Sequence, residues 1–506
     1  MEDNLTKRAI LLGFIVLLGH LLTASGTLFG SDGARRFQVT QSLVHHAWVD
    51  IPMEDRAPIG QDGRHYAQYA IGHSLLMVPL YALGIQAARL FPSQKDELVE
   101  FCVSSANLLT TAALAGFLCL FAQTLGFPPG TSVALGLLYA FGTMAWQQSK
   151  DSFEHPQIAF YFTALFFWLH RFSVTRKPSA LWIAGLFFGL AILTRYTSIL
   201  AYGAVAVFLL GFLRQRDGLA TGFYGLRYLF LFSASTLPFL GFDLWFNHAR
   251  FGSILETGQQ QIFGNLLFSF GTLPQALWSL LFGWEQGLFL FNPCLLLCIV
   301  GASSFYKQHR GLAVAVLTLT GLLLIFYSST REILWGGGWA WGPRFFVDIL
   351  PLLLLFAAPA LEGLGRRTRG SFVHYLAGVL IVVSTVIQLE SVLVNYNRSY
   401  AKKALGISHH SFRQHGPRES LIFMQAENIA EISAALRRGS PPLRRNVQTF
   451  TNLSEMNGAL TFGTFQLWWV YALHLGVPKM GVWIYLLLSI GLIGWLSSSL
   501  WRSAPR

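Results

Sequence analysis

The stretch AILLGFIVLLGHLLTASGTLFGSDGARRFQV, residues 9 to 39, joins an apolar run to a charged segment. The run ends near residue 28 and has the length of about 20 residues that a helix needs to cross the hydrocarbon core of a bilayer. Asp32, Arg35 and Arg36 follow at the place where such a helix ends. The stretch therefore predicts a membrane-spanning helix with an acid and two bases just beyond it.

Similar apolar runs recur along the whole chain of 506 residues. Hydrophobic residues make up 53% of the chain and charged residues only 12%, a balance that ordinary soluble domains do not have. We predict an all-α polytopic membrane protein with about 11 to 13 transmembrane helices. The predicted spans are 8–28, 99–122, 131–148, 157–171, 178–194, 198–213, 226–246, 276–300, 311–328, 345–361, 372–391, 463–476 and 480–500.

The net charge of +12 comes from small basic clusters between these runs. Such clusters orient helices in a membrane, so they indicate topology rather than a nucleic-acid partner. If Lys7 and Arg8 are cytoplasmic, the alternation of spans makes the other short basic loops cytoplasmic as well, namely 171–177, 214–227, 307–310 and 366–369. The opposite, extracytoplasmic side then receives the chemically richer segments, 29–75, 149–156, 194–198, 247–275 and 331–344.

The first extracytoplasmic loop, 29–75, carries the first candidates. Asp32 suits a general base, although it or Ser31 can equally cap the next helix. The residues after it predict an amphipathic helix in the membrane interface, with Arg35 and Arg36 outside an apolar face formed by Phe37, Thr40, Val44 and Trp48.

Further along this loop, Asp62 lies in a predicted turn. Tyr66, Tyr69 and His73 then lead into the apolar stretch 72–91, which Pro79 interrupts and which predicts a span, a re-entrant piece or an interfacial helix. An aromatic belt beside a tight turn is the alternative interpretation of these side chains.

Three later segments on the same side also carry polar candidates. Asp151, Glu154 and His155 form a cluster that is either a solvated loop or a group that binds a metal or provides a second basic site. Arg195 lies in a short polar break between two apolar runs. In the segment WGGGWAWGPR, Arg344 would be costly to bury without an anion, while Trp339 and Trp341 offer flat faces that suit a sugar ring. An interfacial tryptophan belt with a snorkelling arginine is the alternative.

Taken in order, these segments resemble bacterial glycosyltransferases of the GT-C superfamily, nearest to the protein-mannosyltransferase and lipid A aminoarabinose-transferase branch. The resemblance covers about residues 10 to 395. It rests on an Asp after the first span, an acid-bearing second outer loop, and three motifs: DGRHYAQYAIGHSLLMVPLY from Asp62 to Tyr81, GLFLFNP from Gly287 to Pro293, and GGWAWGPRF from Gly337 to Phe345.

The resemblance implies a GT-C-like helical bundle with interfacial helices in the first extracytoplasmic loop. It implies that a sugar passes from a polyprenyl-phosphate-linked donor to a glycan, lipid or protein acceptor outside the cytoplasm, with inversion, in a bacterial inner membrane. Asp32 would be the general base. The remaining roles would be donor-phosphate binding by Arg35, Arg36, Arg195 and Arg344, and sugar or lipid contact by Tyr66, Tyr69, His73, His155, Trp339 and Trp341.

One departure from the family pattern concerns metal binding. Many members carry two adjacent acids after the first helix, whereas Gly33 follows Asp32 here. This leaves a divalent metal open and makes Asp62, Asp151 and Glu154 candidate second acids.

We expect a catalytic transmembrane module at 1–395, a polar extracytoplasmic segment or cap at 396–462, and C-terminal helices at 463–506. Two other functions are compatible with the same residues, namely a transporter or flippase of lipid-linked saccharides and a glycan polymerase or ligase. A transporter would be expected to show inverted repeats and charges near mid-span, and neither pattern is evident in the sequence.

Overall fold

The computed structural model describes residues 2–28, 30–53, 57–217, 222–264, 268, 270–330, 337–365, 372–404, 416–438 and 463–502. The basic loop 366–369, Trp335 and most of the polar segment, at 405–415 and 439–462, lie outside the described residues. The described chain is mainly helical, as predicted. Its α-helices are α1 (Glu2–Thr23), α2 (Gly30–His46), α3 (Gly72–Leu90), α4 (Lys95–Ser104), α5 (Ala106–Thr124), α6 (Pro129–Gly142), α7 (Ala145–Gln148), α8 (His155–Thr175), α9 (Pro178–Thr194), α10 (Ala201–Asp217), α11 (Gly222–Phe251), α12 (Gln259–Phe263), α13 (Leu273–Phe282), α14 (Leu288–Phe291), α15 (Leu296–Gln308), α16 (Arg310–Ser328), α17 (Leu350–Leu354), α18 (Ala358–Gly365), α19 (Phe372–Leu393), α20 (Asn397–Ala404), α21 (Leu421–Arg437), α22 (Trp468–His474) and α23 (Lys479–Arg502).

Eight helical segments in this part of the chain are long and apolar enough to cross a membrane. Shorter apolar helices at Pro178–Thr194, Tyr196–Gly211 and Leu273–Phe282 accompany them. The prediction of a polytopic helical membrane protein is therefore confirmed. The eight segments are Leu5–Thr23, Pro92–Thr124, His155–Thr175, Leu226–Phe251, Arg310–Ser328, Arg344–Leu364, His374–Leu393 and Lys479–Leu500.

Several predicted spans do not form as single helices; 131–148, for example, is divided between α6 and α7. The predicted span 276–300 breaks after Phe282, because Gly283 is extended and because Pro293 starts a separate 3-10 turn before α15. The predicted span 463–476 contains only the seven-residue helix α22. The residues before α22 are tied by backbone hydrogen bonds to α19 and to the end of α1, with Gln466 N–H donating to Leu393 and Trp468 N–H donating to Ala24.

The bundle core forms where long apolar helices pack side by side. α1 lies along α5, α8 along α9, and α9 along α11. Gly116 permits the approach of α5 to α1, since a Cβ at this position would lie 2.4 Å from the Ala9 carbonyl oxygen. The buried faces are rich in Leu, Phe and Ala, whose close packing stabilises the fold.

The segment predicted to be the first extracytoplasmic loop begins with α2 and continues through a short antiparallel pair, β1 (Asp50–Ile51) and β2 (His65–Tyr66), in which Asp50 pairs with Tyr66. α2 is the predicted amphipathic helix, but its buried face is different. Arg35, Arg36, Val39 and Thr40 are buried, whereas 44% of Val44 is exposed. The prediction that Arg35 and Arg36 avoid the buried face is wrong, because both guanidinium groups find polar partners inside the protein.

The stretch 72–91 forms one helix, α3, which continues through Pro79 and packs against α4 and α2. α3 is not among the eight segments that meet the length and hydropathy expected of a membrane span. Its first residues, Gly72 to Ser74, are buried against the loop and helix ends that form the candidate site.

Candidate active site

Segments that are far apart in sequence meet around Asp32 and Glu154. α2 contributes the first turn of a helix, and residues 67–71 lie beside it. The loop 149–154 packs against the same face of α2, and two further segments close the group. These are the break after α9, at residues 195–197, and the 3-10 helix Arg344–Ile349. The structure thus brings together the first loop, the loop 149–154, Arg195 and Arg344.

Asp32 is held from two sides and remains partly open. The Tyr69 hydroxyl donates a 2.6 Å hydrogen bond to Oδ1 of Asp32. Nη2 of Arg344 lies 3.7 Å from the other carboxylate oxygen, Oδ2. About a quarter of the Asp32 side chain, 25%, remains exposed. The carboxylate is thus oriented by the protein and still accessible to another molecule.

Gly33 lies where α2 packs against the loop 149–154. A Cβ at Gly33 would be 2.5 Å from Cβ of Ser152, much closer than two carbon atoms can approach without a shift. A second acid directly after Asp32 therefore has no space in this packing. The contact gives a physical reason for glycine at the position after Asp32.

Arg36 and Glu154 form a buried ion pair beneath Asp32. Nη2 of Arg36 contacts Oε2 of Glu154, and Nη1 of Arg36 donates to the Ser152 carbonyl at 3.4 Å. Burial by itself would raise the pKa of Glu154, but Arg36, followed by His155 and Arg195, outweighs burial and holds that pKa well below its usual range. The guanidinium of Arg36 also lies 4.0 Å from the centroid of the Tyr69 ring.

Arg195 connects Glu154 to a carboxylate that the sequence analysis did not single out. Nη1 of Arg195 is 3.6 Å from Glu154 and 3.8 Å from Asp348. Nδ1 of His155 lies 2.7 Å from Oδ1 of Asp348, and Nη2 of Arg195 donates to the Tyr327 hydroxyl at 2.9 Å. The signal for Asp348 was its position as a lone acid at the start of an apolar run, which is costly unless the acid is paired.

Arg344 makes fewer hydrogen bonds than the other arginines of the group. Its guanidinium lies 3.9 Å from the centroid of the Phe153 ring, and its Nε is buried without a hydrogen-bond partner among the described residues. Gly337, which has a positive φ of 94°, leaves room for it, since a Cβ there would be 2.5 Å from Nε. Arg344 is therefore a partly satisfied cation next to Asp32.

Arg35 and Arg250 support Tyr69. Arg35 donates to the Gln68 side chain at 3.0 Å, and Gln68 in turn donates to the Tyr69 hydroxyl at 2.7 Å. Arg250, at the end of α11, donates to the carbonyls of Ala67 at 2.8 Å and Tyr69 at 3.4 Å. Arg250 is almost fully buried and was missed, because its position in α11 gave no indication of a contact with residues 67–69.

The remaining candidate acids are engaged elsewhere. Asp62 accepts a hydrogen bond of 2.8 Å from Tyr66 and lies 3.6 Å from Arg64, on the exposed side of the first loop. Asp151 is buried and accepts from Tyr396 at 3.0 Å. Burial raises the pKa of Asp151 to about 6, against the opposing effect of its hydrogen-bond donors. Asp62 and Asp151 remain candidate second acids, but neither is paired with Asp32 among the described residues.

The aromatic and histidine candidates divide by exposure. His73 is buried with Nδ1 3.0 Å from Oε1 of Gln157, and His155 is buried against Asp348. Trp339 is 51% exposed and stacks on Tyr400, with ring centroids 5.3 Å apart. Trp341 is fully enclosed and donates to Gln388 at 3.3 Å, so its ring is not available to a sugar. This burial corrects the expectation for Trp341.

The described residues do not fit a bound metal ion well. They contain no group of three or more His, Cys, Asp and Glu side chains arranged to hold one. The carboxylates of the site face guanidinium groups instead, as Glu154 does with Arg36 and Asp32 does with Arg344.

Comparison with known proteins gives one family match and several structural ones. Residues 97–241 match the model of the dolichyl-phosphate-mannose-protein mannosyltransferase family. Comparison with curated protein sequences gives no match. The crystal structure of ArnT from Cupriavidus metallidurans in the apo state is similar, with a TM-score of 0.50 and 16% identity, over 96% of this chain and 76% of that one.

Two other solved structures are similar at lower scores. ArnT from the same organism bound to undecaprenyl phosphate gives a TM-score of 0.49 at 16% identity, over 97% of this chain and 77% of that one. An Archaeoglobus fulgidus oligosaccharyltransferase tethered to an acceptor peptide gives 0.42 at 13% identity, over 82% and 58%. The chain therefore contains a segment that matches the protein-mannosyltransferase family model, and it shares the fold of apo ArnT.

Proposed function

We propose that this protein is a membrane glycosyltransferase that moves a sugar from a polyprenyl-phosphate-linked donor to an acceptor hydroxyl on the extracytoplasmic side. The observation that carries the proposal is the pairing of Asp32 with Arg344. A partly exposed carboxylate, oriented by Tyr69, stands 3.7 Å from a guanidinium that retains an unpartnered N–H among the described residues. Base and cation are the two groups that sugar transfer from a phosphate requires.

In the proposed reaction, Asp32 acts as the general base. The acceptor oxygen attacks the anomeric carbon of the sugar and forms the new glycosidic bond, while its proton passes to the Asp32 carboxylate. The bond between the anomeric carbon and the phosphate oxygen breaks, and the phosphate leaves with the electron pair. Attack from the face opposite the leaving group inverts the anomeric carbon. The protonated Asp32 then releases its proton to water.

Arg344 is the group that we assign to the leaving phosphate. Its contact with Asp32 is longer than a hydrogen bond, so a phosphate oxygen can replace part of it when a donor binds. Arg36 and Arg195 are already bonded to Glu154, Asp348 and Tyr327. We therefore assign these two arginines to holding the site together, with a longer-range electrostatic contribution to phosphate binding.

The family name supports the donor class, since it describes enzymes that use a dolichyl-phosphate sugar. The exposed Trp339 supports contact with a sugar ring. Bacterial inner-membrane location, the inverting outcome and the identity of the acceptor remain parts of the proposal. A lipid-linked donor keeps its tail in the bilayer, so the site must lie at the membrane surface for the reaction to occur.

The test reconstitutes the purified protein in vesicles with a panel of radiolabelled polyprenyl-phosphate sugars and candidate acceptors. We expect release of polyprenyl phosphate together with labelled acceptor. Movement of intact lipid-linked sugar across the bilayer without release of polyprenyl phosphate would establish a transporter instead. Growth of the label into long chains would identify a polymerase or ligase that uses the same donor.

A further inference from the structure

Lys150 is a buried lysine to which the proposed reaction assigns no role. Only 4% of the residue is exposed, and it lies in the loop between α7 and α8. An ammonium group in such a place is costly unless its hydrogen bonds are satisfied. Its Nζ donates to the carbonyl of Val392 and, at 2.8 Å, to the carbonyl of Gln466.

The first of these carbonyls belongs to a helix end. Val392 is the last residue but one of α19, and the final carbonyls of a helix have no partners within it. These carbonyls also carry the negative end of the helix dipole, which attracts a cation. Lys150 therefore caps α19.

The second carbonyl belongs to a segment that caps α1 as well. We call residues 463–469 the strap. The Gln466 N–H donates to the Leu393 carbonyl at 2.8 Å, beside the one that Lys150 uses. The indole N–H groups of Trp468 and Trp469 donate to the carbonyls of Leu21 and Leu22 at 3.0 and 2.9 Å. The strap thus joins the ends of α1 and α19.

The end of α1, which the strap holds, and the loop that contains Lys150 are both connected to the turn of α2 that carries Asp32. The end of α1 continues through residues 24–29 into α2, whose third residue is Asp32. Lys150 lies near the start of the loop that contains Ser152 and Glu154. Ser152 contacts Gly33, and Glu154 pairs with Arg36. Lys150 and the strap therefore hold the end of α1 and the 150–154 loop, which both contact or continue into the first turn of α2, where Asp32 lies.

We infer that Lys150 is a positioning residue for glycosyl transfer: shared between the end of α19 and the strap, it holds the 150–154 loop against α2 and so fixes Asp32 relative to the acceptor. This inference rests on the proposed function for its kinetic consequence. It also assigns the C-terminal strap, which lies far from Asp32 in sequence, to the active-site scaffold. Misplacing a catalytic group by about 1 Å can lower a rate about a hundredfold.

The test compares Lys150→Met, which keeps the length and removes the charge, with Lys150→Arg, which keeps the charge. Lys403→Met is the matched control, because Lys403 is similarly buried and forms an ion pair with Glu285 at 2.9 Å. Burial lowers the pKa of Lys150 to about 7, so the assays are run near pH 6, where the ammonium form predominates.

The first readout is amide hydrogen exchange, which does not depend on activity. We expect faster exchange in residues 30–36 and 150–158 of Lys150→Met, with no change there in Lys403→Met. The second readout is kinetic. We expect kcat of Lys150→Met to fall about tenfold or more, with the donor KM changed less than about twofold, and Lys150→Arg to recover most of the loss.

Unchanged exchange in these two segments would overturn the inference, and so would an equal loss of kcat in Lys403→Met. If the wild type consumes no donor, the proposed function fails, while hydrogen exchange still decides whether Lys150 holds the loop. If Lys150→Met does not fold, Trp469→Phe removes one bond of the strap and is examined in the same two assays. Unchanged exchange at residues 30–36 in Trp469→Phe would then contradict the inference.

Discussion

The Tyr69 hydroxyl donates a hydrogen bond of 2.6 Å to Oδ1 of Asp32, across 37 residues of sequence. Tyr69 is in turn held by Gln68 at its hydroxyl and by Arg250 at its carbonyl. Burial, with Asp32 adding to it, raises the pKa of Tyr69, so the phenol stays protonated and acts as a donor at neutral pH. The proposed base is therefore oriented by a fixed donor.

Removing this donor is expected to slow transfer without unfolding the protein. In Tyr69→Phe the carboxylate loses its orienting bond, and we expect kcat to fall about tenfold. The measurement is the initial rate of polyprenyl phosphate release at saturating donor. Tyr375→Phe, which alters an exposed tyrosine of α19, serves as the control. A Tyr69→Phe rate equal to that of the control would show that the bond has no role in catalysis.

Arg344 is expected to act on the leaving phosphate. Arg344→Gln removes the charge that we assign to it, so kcat/KM for the donor should fall about a hundredfold, or about 2.7 kcal/mol of transition-state stabilisation. Arg344→Lys should recover only part of this, because an ammonium lacks the planar fork of a guanidinium. Arg89→Gln, on the exposed end of α3, is the control. Full activity of Arg344→Gln would remove Arg344 from the mechanism.

Gly33 is expected to tolerate no side chain. A Cβ there would lie 2.5 Å from Cβ of Ser152, so Gly33→Ala should push α2 away from the loop and lower kcat about tenfold. The double variant Gly33→Ala with Ser152→Gly removes the clash and should recover activity. Gly130→Ala, where the added Cβ meets nothing within 4 Å, is the control. Failure of the double variant to recover would place the cause outside this contact.

The Arg36–Glu154 pair is expected to make the stability of the protein depend on pH in the acidic range. The pKa of Glu154 is held below its usual value of 4.5, so its contribution is present above that pH and is lost as the pH falls below it. At neutral pH, Glu154→Gln should cost about 3 to 5 kcal/mol, much of it from leaving Arg36 unpaired.

Thermal unfolding of the wild type and Glu154→Gln across pH 3 to 8 measures this dependence. We expect the difference in stability between the two proteins to become smaller below about pH 4.5. Glu97→Gln, at the start of α4, controls for the loss of a carboxylate that takes no part in the pair. A difference in stability that stays constant over the whole pH range would contradict the assignment of the pH dependence to the Arg36–Glu154 pair.

Much of the architecture could be predicted from the chain, because membrane helices are local in sequence. Runs such as 311–328 form the predicted spans, since an apolar run of that length has few alternatives in a bilayer. The break inside 276–300 was harder to predict, because Gly283 and Pro293 lie in a run whose mean hydropathy is still that of a span.

The pairings within the site were less predictable. Asp32, Glu154, Arg195 and Arg344 come from separate polar segments, and the structure brings them together. Which carboxylate pairs with which guanidinium depends on contacts between helices, and hydrophobic periodicity carries no information about such contacts. Asp348 and Arg250 were missed for the same reason, since each finds its partners on another element.

The most direct test of the account compares wild type, Asp32→Asn and the control Asp96→Asn, which alters an exposed acid of α4. Each is purified in nanodiscs, checked for equal thermal stability, and assayed for release of polyprenyl phosphate from the donor that the wild type uses. The account predicts that Asp32→Asn is slower by about a hundredfold or more, because the amide cannot accept the proton, while Asp96→Asn retains the wild-type rate. An Asp32→Asn variant as fast as wild type would show that the catalytic base is another residue.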